Sequence, residues 1–323
     1  VIRGFVADNG RLRAIDHALT AIEGVIWVDL LNPTTEEETR LEALLDLELP
    51  TRDEMEEIEI SSRLYHEDGA AFMTATLPAQ ADGDDPQMAP VTFVLTAQRL
   101  ITVRYHAPRA FQTFPQRAEK VAMGCTSGDA VLVALLEAIV DRLADILERA
   151  GREIDGISRA IFRHPGGKSS KSRDFQEVLE QVGRKGDLVS NIRDSLVTLD
   201  RLDGFFTQVT MQRKNEKEIR ARIKMLSRDI RSLADHATFL TSKITFLLDA
   251  TLGMINIEQN AIIKIFSVAA VVFLPPTLIA SIYGMNFEFM PELKWVLGYP
   301  MALGLMVLSA ILPYFYFQRR GWL

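Results

Sequence analysis

Residues 264–288 read KIFSVAAVVFLPPTLIASIYGMNFE and residues 294–319 read KWVLGYPMALGLMVLSAILPYFYFQR. No charged residue falls between Lys264 and Glu288, or between Lys294 and Arg319. Each gap is longer than the roughly 20 residues a helix needs to cross a hydrocarbon core. Pro275, Pro276 and Pro313 break the rules of soluble helices, but membrane helices tolerate proline where neighbours or water satisfy the freed carbonyls. The two stretches therefore predict a membrane hairpin with a short acidic, aromatic connector.

The connector runs Tyr283, Gly284, Met285, Asn286, Phe287, Glu288, Phe289, Met290, Pro291, Glu292, Leu293, Lys294, Trp295. Y-G-M-N followed by F-E-F-M-P-E-L-K-W resembles the signature of the CorA family of magnesium and cobalt channels, in the same place between two C-terminal spans. The basic, aromatic end of the chain (Arg319, Arg320, Trp322) is similar as well. The resemblance is firm over the last sixty or so residues and rests on architecture elsewhere.

Composition agrees with that reading and excludes others. The formal net charge of −7 and a pI near 5.4 argue against a nucleic-acid binder, which carries a basic footprint to neutralise phosphates. Mean hydropathy is only +0.07, because the apolar material is gathered at one end. Cys125 is the single cysteine, so neither an intrachain disulfide nor a cysteine-based zinc cluster can form, and a reducing compartment suits the chain. The five histidines (His17, His66, His106, His164, His236) have no H-x-x-x-H spacing, so a catalytic zinc site is not expected. The first residues lack a signal-peptide core. Arg319 and Arg320 follow the second stretch while the connector holds Lys294 against two acids, so the positive-inside rule predicts both termini in the cytoplasm of an inner-membrane protein.

Upstream, residues 25–30, 58–65, 70–77, 91–96 and 100–105 have the length and β-branched content of strands. Residues 81–90 are turn-prone and Gln98-Arg99 reads as a hairpin tip. Asn32 or Thr34 caps an expected helix over 36–47. The pattern predicts a small α/β domain with a mixed sheet, and no glycine-rich phosphate loop is present to support a nucleotide fold. From Gly128 the chain turns helical: an apolar face over Leu132, Leu136, Ile139, Leu143 and Ile146 predicts a helix to about Phe162, broken by His164, Pro165, Gly166 and Gly167. A second helix over about 175–202 is expected to return antiparallel to it.

Ile219, Ile223, Leu226, Ile230, Leu233, Ala237, Leu240, Ile244, Leu247, Thr251 and Met254 then alternate four- and three-residue steps. Such a seam belongs to a left-handed supercoil or to a helix packed on its own domain. It predicts one helix from about 205 to 283, about 115–120 Å long. The basic residues Arg213, Lys214, Lys217, Arg220, Arg222, Lys224, Arg228 and Arg231 either pair with acids of the globular domain or repel cations near the pore.

A seven-residue step in the first apolar stretch selects Asn260, Ser267, Leu274 and Ser281, with Ala270 and Thr277 on the adjacent row. This small or polar face is either a wet lining or a tight helix–helix contact. The resemblance implies the former: a pore enclosed by five identical subunits, each lending its first span. It implies a selectivity filter at Gly284, Met285 and Asn286, polar pore positions at Asn260 and Thr277, and an apolar constriction at Leu274. Glu288 and Glu292, gathered over several subunits, would concentrate cations or merely solvate the loop. Phe287, Phe289, Met290 and Trp295 read as interfacial anchors.

The resemblance further implies regulatory Mg2+ held by acids between neighbouring soluble domains. The candidates are Asp229 and Asp235 on the long helix and Glu54, Glu56, Glu57 or Glu59 before Ile60, with Glu54 and Glu57 taken first. No cofactor is expected and no residue needs to act as acid, base or nucleophile, so the chain is not an enzyme. The expected partners are other copies of itself, membrane lipid and divalent cations.

The resulting division is 1–127, a cytoplasmic α/β domain; 128–204, a cytoplasmic helical hairpin; 205–261, a stalk helix; 262–283, the pore-lining span; 284–297, the extracytoplasmic loop; 298–318, the second span; and 319–323, a basic cytoplasmic tail. The expected function is passive Mg2+ uptake through a homopentamer, with Co2+ or Ni2+ as surrogates. Zn2+ transport by the same architecture and a non-conducting, membrane-anchored coiled-coil sensor are the alternatives.

Overall fold

The computed structural model describes residues 1–15, 22–83, 85–162, 172–213, 217–288 and 290–322. The chain forms two compact units, Val1–Leu248 and Asp249–Leu323.

The first unit is built on a seven-stranded mixed sheet. Its strands are β1 (Ile2–Asp8), β2 (Arg11–Ile15), β3 (Val25–Leu31), β4 (Leu64–Glu67), β5 (Ala70–Ala79), β6 (Gln87–Leu95) and β7 (Leu100–Arg104), in the order β2-β1-β3-β7-β6-β5-β4. Among the described strands only β3 and β7 pair in parallel. The β1–β2 turn, Asn9-Gly10, places both residues at positive φ (50° and 78°), the mirror-image geometry that matches strand twist. The strand reading passes over this hairpin, although an N-G step between apolar alternations is its usual signal.

Alternation along the strands feeds two cores. Trp27, Met73, Phe93, Leu95 and Leu100 face one side with Phe111 and Phe114 of α4 (Ala110–Lys120). Val28, Leu30, Phe72, Val94, Ile101 and Val103 face the other, where they meet Leu41 of α1 (Thr35–Leu45) and Met55 of α2 (Arg52–Glu56). Thr34, not Asn32, caps α1, in a capping box with Glu37. The strand expected over 58–65 is a correction: Ile60–Arg63 forms the short helix α3, and the strand starts at Leu64.

Three long helices complete this unit: α5 (Gly128–Phe162), α6 (Ser172–Gln212) and α7 (Lys217–Tyr283), the last running on into the second unit. Ion pairs fix their directions. Asp129 meets Arg213 at 3.6 Å and Glu153 meets Lys185, so α5 and α6 are antiparallel, as expected. Glu137 meets Arg222 and Asp155 meets Lys243, so α7 runs parallel to α5.

The helix break lies later than the sequence reading placed it. The second helix extends to Gln212 and the long helix starts at Lys217, not near 205. The four- and three-residue seam, from Ile219 to Leu247, is buried in the unit's own core. Leu240 lies beside Gly151 of α5 and Ile244 beside Gly186 of α6. Up to Leu247 the seam is therefore intramolecular packing rather than a surface for another chain. The expected breaker at His164–Gly167 lies outside the described residues.

In the second unit α7 continues through Pro275 and Pro276 to Tyr283, a 3-10 turn covers Pro291–Lys294, and α8 spans Gly298–Arg319. Lys264 of α7 lies over the Trp322 ring just beyond α8, so the two helices form an antiparallel hairpin. Lys264 to Tyr283 rises about 29 Å, close to the thickness of a hydrocarbon core.

Candidate functional site

The end of α7 is closed by the residues that follow Tyr283. The Gly284 N–H donates to the Ala280 carbonyl (2.9 Å) and the Met285 N–H to the Ile282 carbonyl (3.3 Å), so the last turn tightens. A Cβ at position 284 would stand 3.1 Å from the Ala280 oxygen, tighter than ordinary contact, which favours glycine. Asn286 follows directly on this closed end, and it is exposed with Phe287 and Glu288. Phe289 lies outside the described residues. Trp295 and Met285 are exposed and Met290 is half-buried.

The other end of the connector is held by a second glycine. The Gly298 N–H donates to Trp295 O (2.9 Å), and a Cβ there would come within 2.3 Å of Glu292 O. Glycine is thus required where the 3-10 turn carrying Glu292 meets the start of α8. The Glu292 side chain points to solvent.

Asn260, Ser267, Ala270, Leu274, Thr277 and Ser281 are all exposed along α7. Val268, one step away in register, is buried instead, as is Ala302 of α8. The buried seam of the first unit, stepped by sevens from Ile219, arrives at Val268; the polar row belongs to the neighbouring register. Thr277 donates its hydroxyl proton to the Leu274 carbonyl (2.8 Å), which leaves its oxygen as an acceptor toward the exposed side.

The four acids proposed to sense metal lie apart within one chain. Asp229 and Asp235 are exposed on α7. Glu54 is engaged at the start of α2, where its carboxylate accepts the Thr51 N–H (2.8 Å). Glu57 is exposed, and its backbone carbonyl accepts from Arg63. The face of the sheet that carries α2 is opposite the one on which α7 packs. Among the described residues no three His, Cys, Asp or Glu side chains converge as a metal site. Asp229 makes itself felt electrostatically at Asp141 of α5, whose carboxyl is held above its usual range by burial first, eased by Arg117, with Glu137, Asp145 and Asp229 adding to the upward push.

Among the described basic residues between Arg213 and Arg231, several are matched with acids. Arg213 meets Asp129 and donates to the Thr96 and Leu95 carbonyls, Arg222 grips Glu137 (2.9 and 2.6 Å), and Arg231 meets Asp200 (3.2 Å). Lys214 lies outside the described residues. His106 is buried against the Leu77 carbonyl (2.8 Å), while His17 and His164 lie outside the described residues.

One titratable residue escaped the sequence reading. Asp203 of α6 is buried against α7, hydrogen-bonded to Ser227, and burial pushes its carboxyl up to about 6. Nothing in the local run Asp200, Arg201, Leu202, Asp203 distinguishes it from a solvated helix face, because its burial depends on the arrival of α7.

A mixed sheet and helix bundle whose long helix continues into a hairpin of two apolar helices defines a membrane protein with two C-terminal spans. The family model described as CorA-like Mg2+ transporter protein matches residues 23–319, and the chain belongs to that family. It is 37% identical over 323 residues to the magnesium transport protein CorA of Haemophilus influenzae, covering the whole of both chains. It is 35% identical over 324 residues to the protein of the same name from Escherichia coli K12, again over the whole of both. Among solved structures, the complete CorA magnesium transporter from Methanocaldococcus jannaschii has the same fold: TM-score 0.72 at 19% identity, covering 100% of this chain and 99% of that one.

Proposed function

We propose that this chain conducts hydrated Mg2+ passively across the inner membrane as a homopentamer, with Gly284, Met285 and Asn286 as its filter and both termini in the cytoplasm. The observation that carries the reading is Asn286, an exposed carboxamide set immediately beyond the closed end of a membrane-spanning helix. Mg2+ prefers six oxygens at about 2.0–2.1 Å and sheds water reluctantly. A ring of neutral amide oxygens accepts hydrogen bonds from the ion's water shell and lets it go; a ring of carboxylates would hold it. The membrane potential supplies about 2.3 kcal/mol per charge per 100 mV, or twice that for a divalent ion.

Behind the filter, Ser281, Thr277, Leu274, Ala270, Ser267 and Asn260 form the lining. Hydroxyl and amide groups exposed on a span need a wet or protein-covered surface, and two helices cannot enclose one, so other copies of the chain must. The same seven-residue register read back toward the start of α7 falls on Met225, Phe239 and Phe246, which are exposed apolar residues suited to helix–helix assembly. Leu274 closes the path by dewetting. Glu288 and Glu292 concentrate cations at the entrance.

Cytoplasmic Mg2+ acts as regulator by joining Asp229 or Asp235 of one protomer to acids such as Glu54 or Glu57 of the next. Their placement on opposite sides of the sheet supports a shared site between protomers over one within a protomer. Binding there favours the shut assembly, and low Mg2+ releases it. Proteoliposome uptake of Mg2+, Co2+, Ni2+ and Zn2+ by wild type and Asn286→Ala tests the reading. Mg2+ uptake lost in the variant supports it; no divalent uptake by wild type at any internal Mg2+ level defeats it.

A further inference from the structure

Gly321 and Trp322 form a built cap on α8. Gly321 takes positive φ (68°), its N–H donates to the Gln318 carbonyl (3.1 Å), and the Trp322 N–H donates to the Phe317 carbonyl (3.1 Å). This bond pair, with Trp322 stacked on Phe317 at 5.3 Å between ring centroids, is the Schellman closure of a helix C-terminus. Two consequences follow for the surface. The carbonyls of Phe317 and Gln318 are satisfied internally, and the indole is folded back toward α7.

One cation lies over that folded indole and another over a neighbouring ring of α8. The Lys264 ammonium lies 5.9 Å from the Trp322 ring centroid, and the Arg320 guanidinium lies 5.6 Å from that of Tyr316. Lys264, Arg319 and Arg320 are exposed. Helix α8 carries no acid, and Glu258, the acid preceding Lys264 on α7, lies about 9 Å further along the helix axis. Ring quadrupoles hold the cations in place without neutralising them.

We propose that Lys264, Arg320 and Trp322 form a binding site for the phosphate headgroup of an anionic phospholipid, in the leaflet where α7 enters the membrane and α8 leaves it. The inference rests on the reading of both helices as membrane spans. An anionic headgroup supplies a negative charge to Lys264 and Arg320, which no acid among the described residues pairs with in a salt bridge, and it accepts from the indole N–H. A zwitterionic headgroup brings its own ammonium and gains less. The site favours a lipid over free phosphate because its floor is apolar: Tyr316, Phe317 and Trp322 line it, and Ile263 and Ile265, both exposed, flank Lys264. Each basic residue beside an anionic surface raises local occupancy roughly fivefold.

The test uses the full chain in vesicles of phosphatidylcholine containing either brominated phosphatidylglycerol or brominated phosphatidylcholine at equal mole fraction. A Trp295→Phe background leaves Trp322 as the membrane reporter, and buried Trp27 reports that the soluble unit remains folded. Quenching of Trp322 is expected to be several-fold greater with the anionic brominated lipid. Lys264→Gln with Arg320→Gln brings the two lipids level, Lys264→Arg with Arg320→Lys keeps the difference, and added inorganic phosphate leaves it unchanged. Equal quenching by both lipids in the parent overturns the lipid site while leaving the spans intact. Absence of quenching by either overturns the membrane reading with it. A difference that survives the double glutamine variant, or that phosphate abolishes, also overturns the proposal.

Discussion

Arg104 at the end of β7 donates to both carboxylate oxygens of Asp29 on β3, at 3.0 and 2.7 Å, where the two strands run parallel and both side chains are 3% exposed. The pair is fully occupied: Thr102 also donates to Asp29, Arg104 donates to the His106 carbonyl, and its guanidinium lies over Phe111. Removing one partner strands a buried charge. Arg104→Met is therefore expected to destabilise the soluble unit by about 3–5 kcal/mol, read as a lowered urea midpoint of Trp27 fluorescence. A variant unfolding with wild-type midpoint would contradict this account of the network.

Asp203 gives a pH dependence with a definite sign. Burial pushes its carboxyl up from the ordinary aspartate range to about 6, so the folded chain binds the extra proton. Its contribution is favourable at low pH, declines as pH rises from about 4 to about 6, and then stays at its least favourable value. Asp203→Asn is expected to remove that slope and to stabilise the chain at pH 8 by about 2–3 kcal/mol, with little effect near pH 4. Chemical denaturation at the two pH values measures it; an equal change at both would mean that the carboxyl does not titrate in this window.

The two connector glycines differ in how much room they have. A Cβ at Gly298 would meet backbone at 2.3 Å, against 3.1 Å at Gly284. Gly298→Ala must displace the 3-10 turn, whereas Gly284→Ala needs only a few tenths of an ångström at the end of α7. Gly298→Ala is expected to lower Mg2+ uptake without shifting the unfolding of the soluble unit. Wild-type uptake by that variant would show that the connector tolerates the move.

At the proposed filter, charge is the variable to change. Asn286→Asp replaces a neutral acceptor ring by anionic ones, which bind Mg2+ more tightly and release it more slowly. Apparent affinity is expected to rise and maximal flux to fall in concentration-dependent uptake. A variant with faster flux at saturating Mg2+ would exclude release as the step that the amide sets.

The proposed regulatory role of Asp229 and Asp235 is tested through inhibition rather than folding, because both are exposed. Asp229→Ala with Asp235→Ala is expected to shift half-inhibition by internal Mg2+ upward by at least about fivefold. Unchanged inhibition in the double variant would remove these residues from the regulatory site.

Sequence alone determined whatever depends on local composition and period. The uncharged lengths of the spans, the helix start among the acids after Asn32 or Thr34, the strands at 25–30, 70–77, 91–96 and 100–105, and the Tyr283–Asn286 signature are each contained within a short stretch. Tertiary structure alone decided where a repeating apolar face finds its partner. The seam from Ile219 to Leu247 has the period of a supercoil, yet it is buried on α5 and α6 of the same chain, because hydrophobic burial has a period but no built-in address. The same limit hid the helix break at Gln212–Lys217, the burial of Asp203, and the fold of Trp322 onto Lys264, all of which depend on residues far apart in the chain being brought side by side.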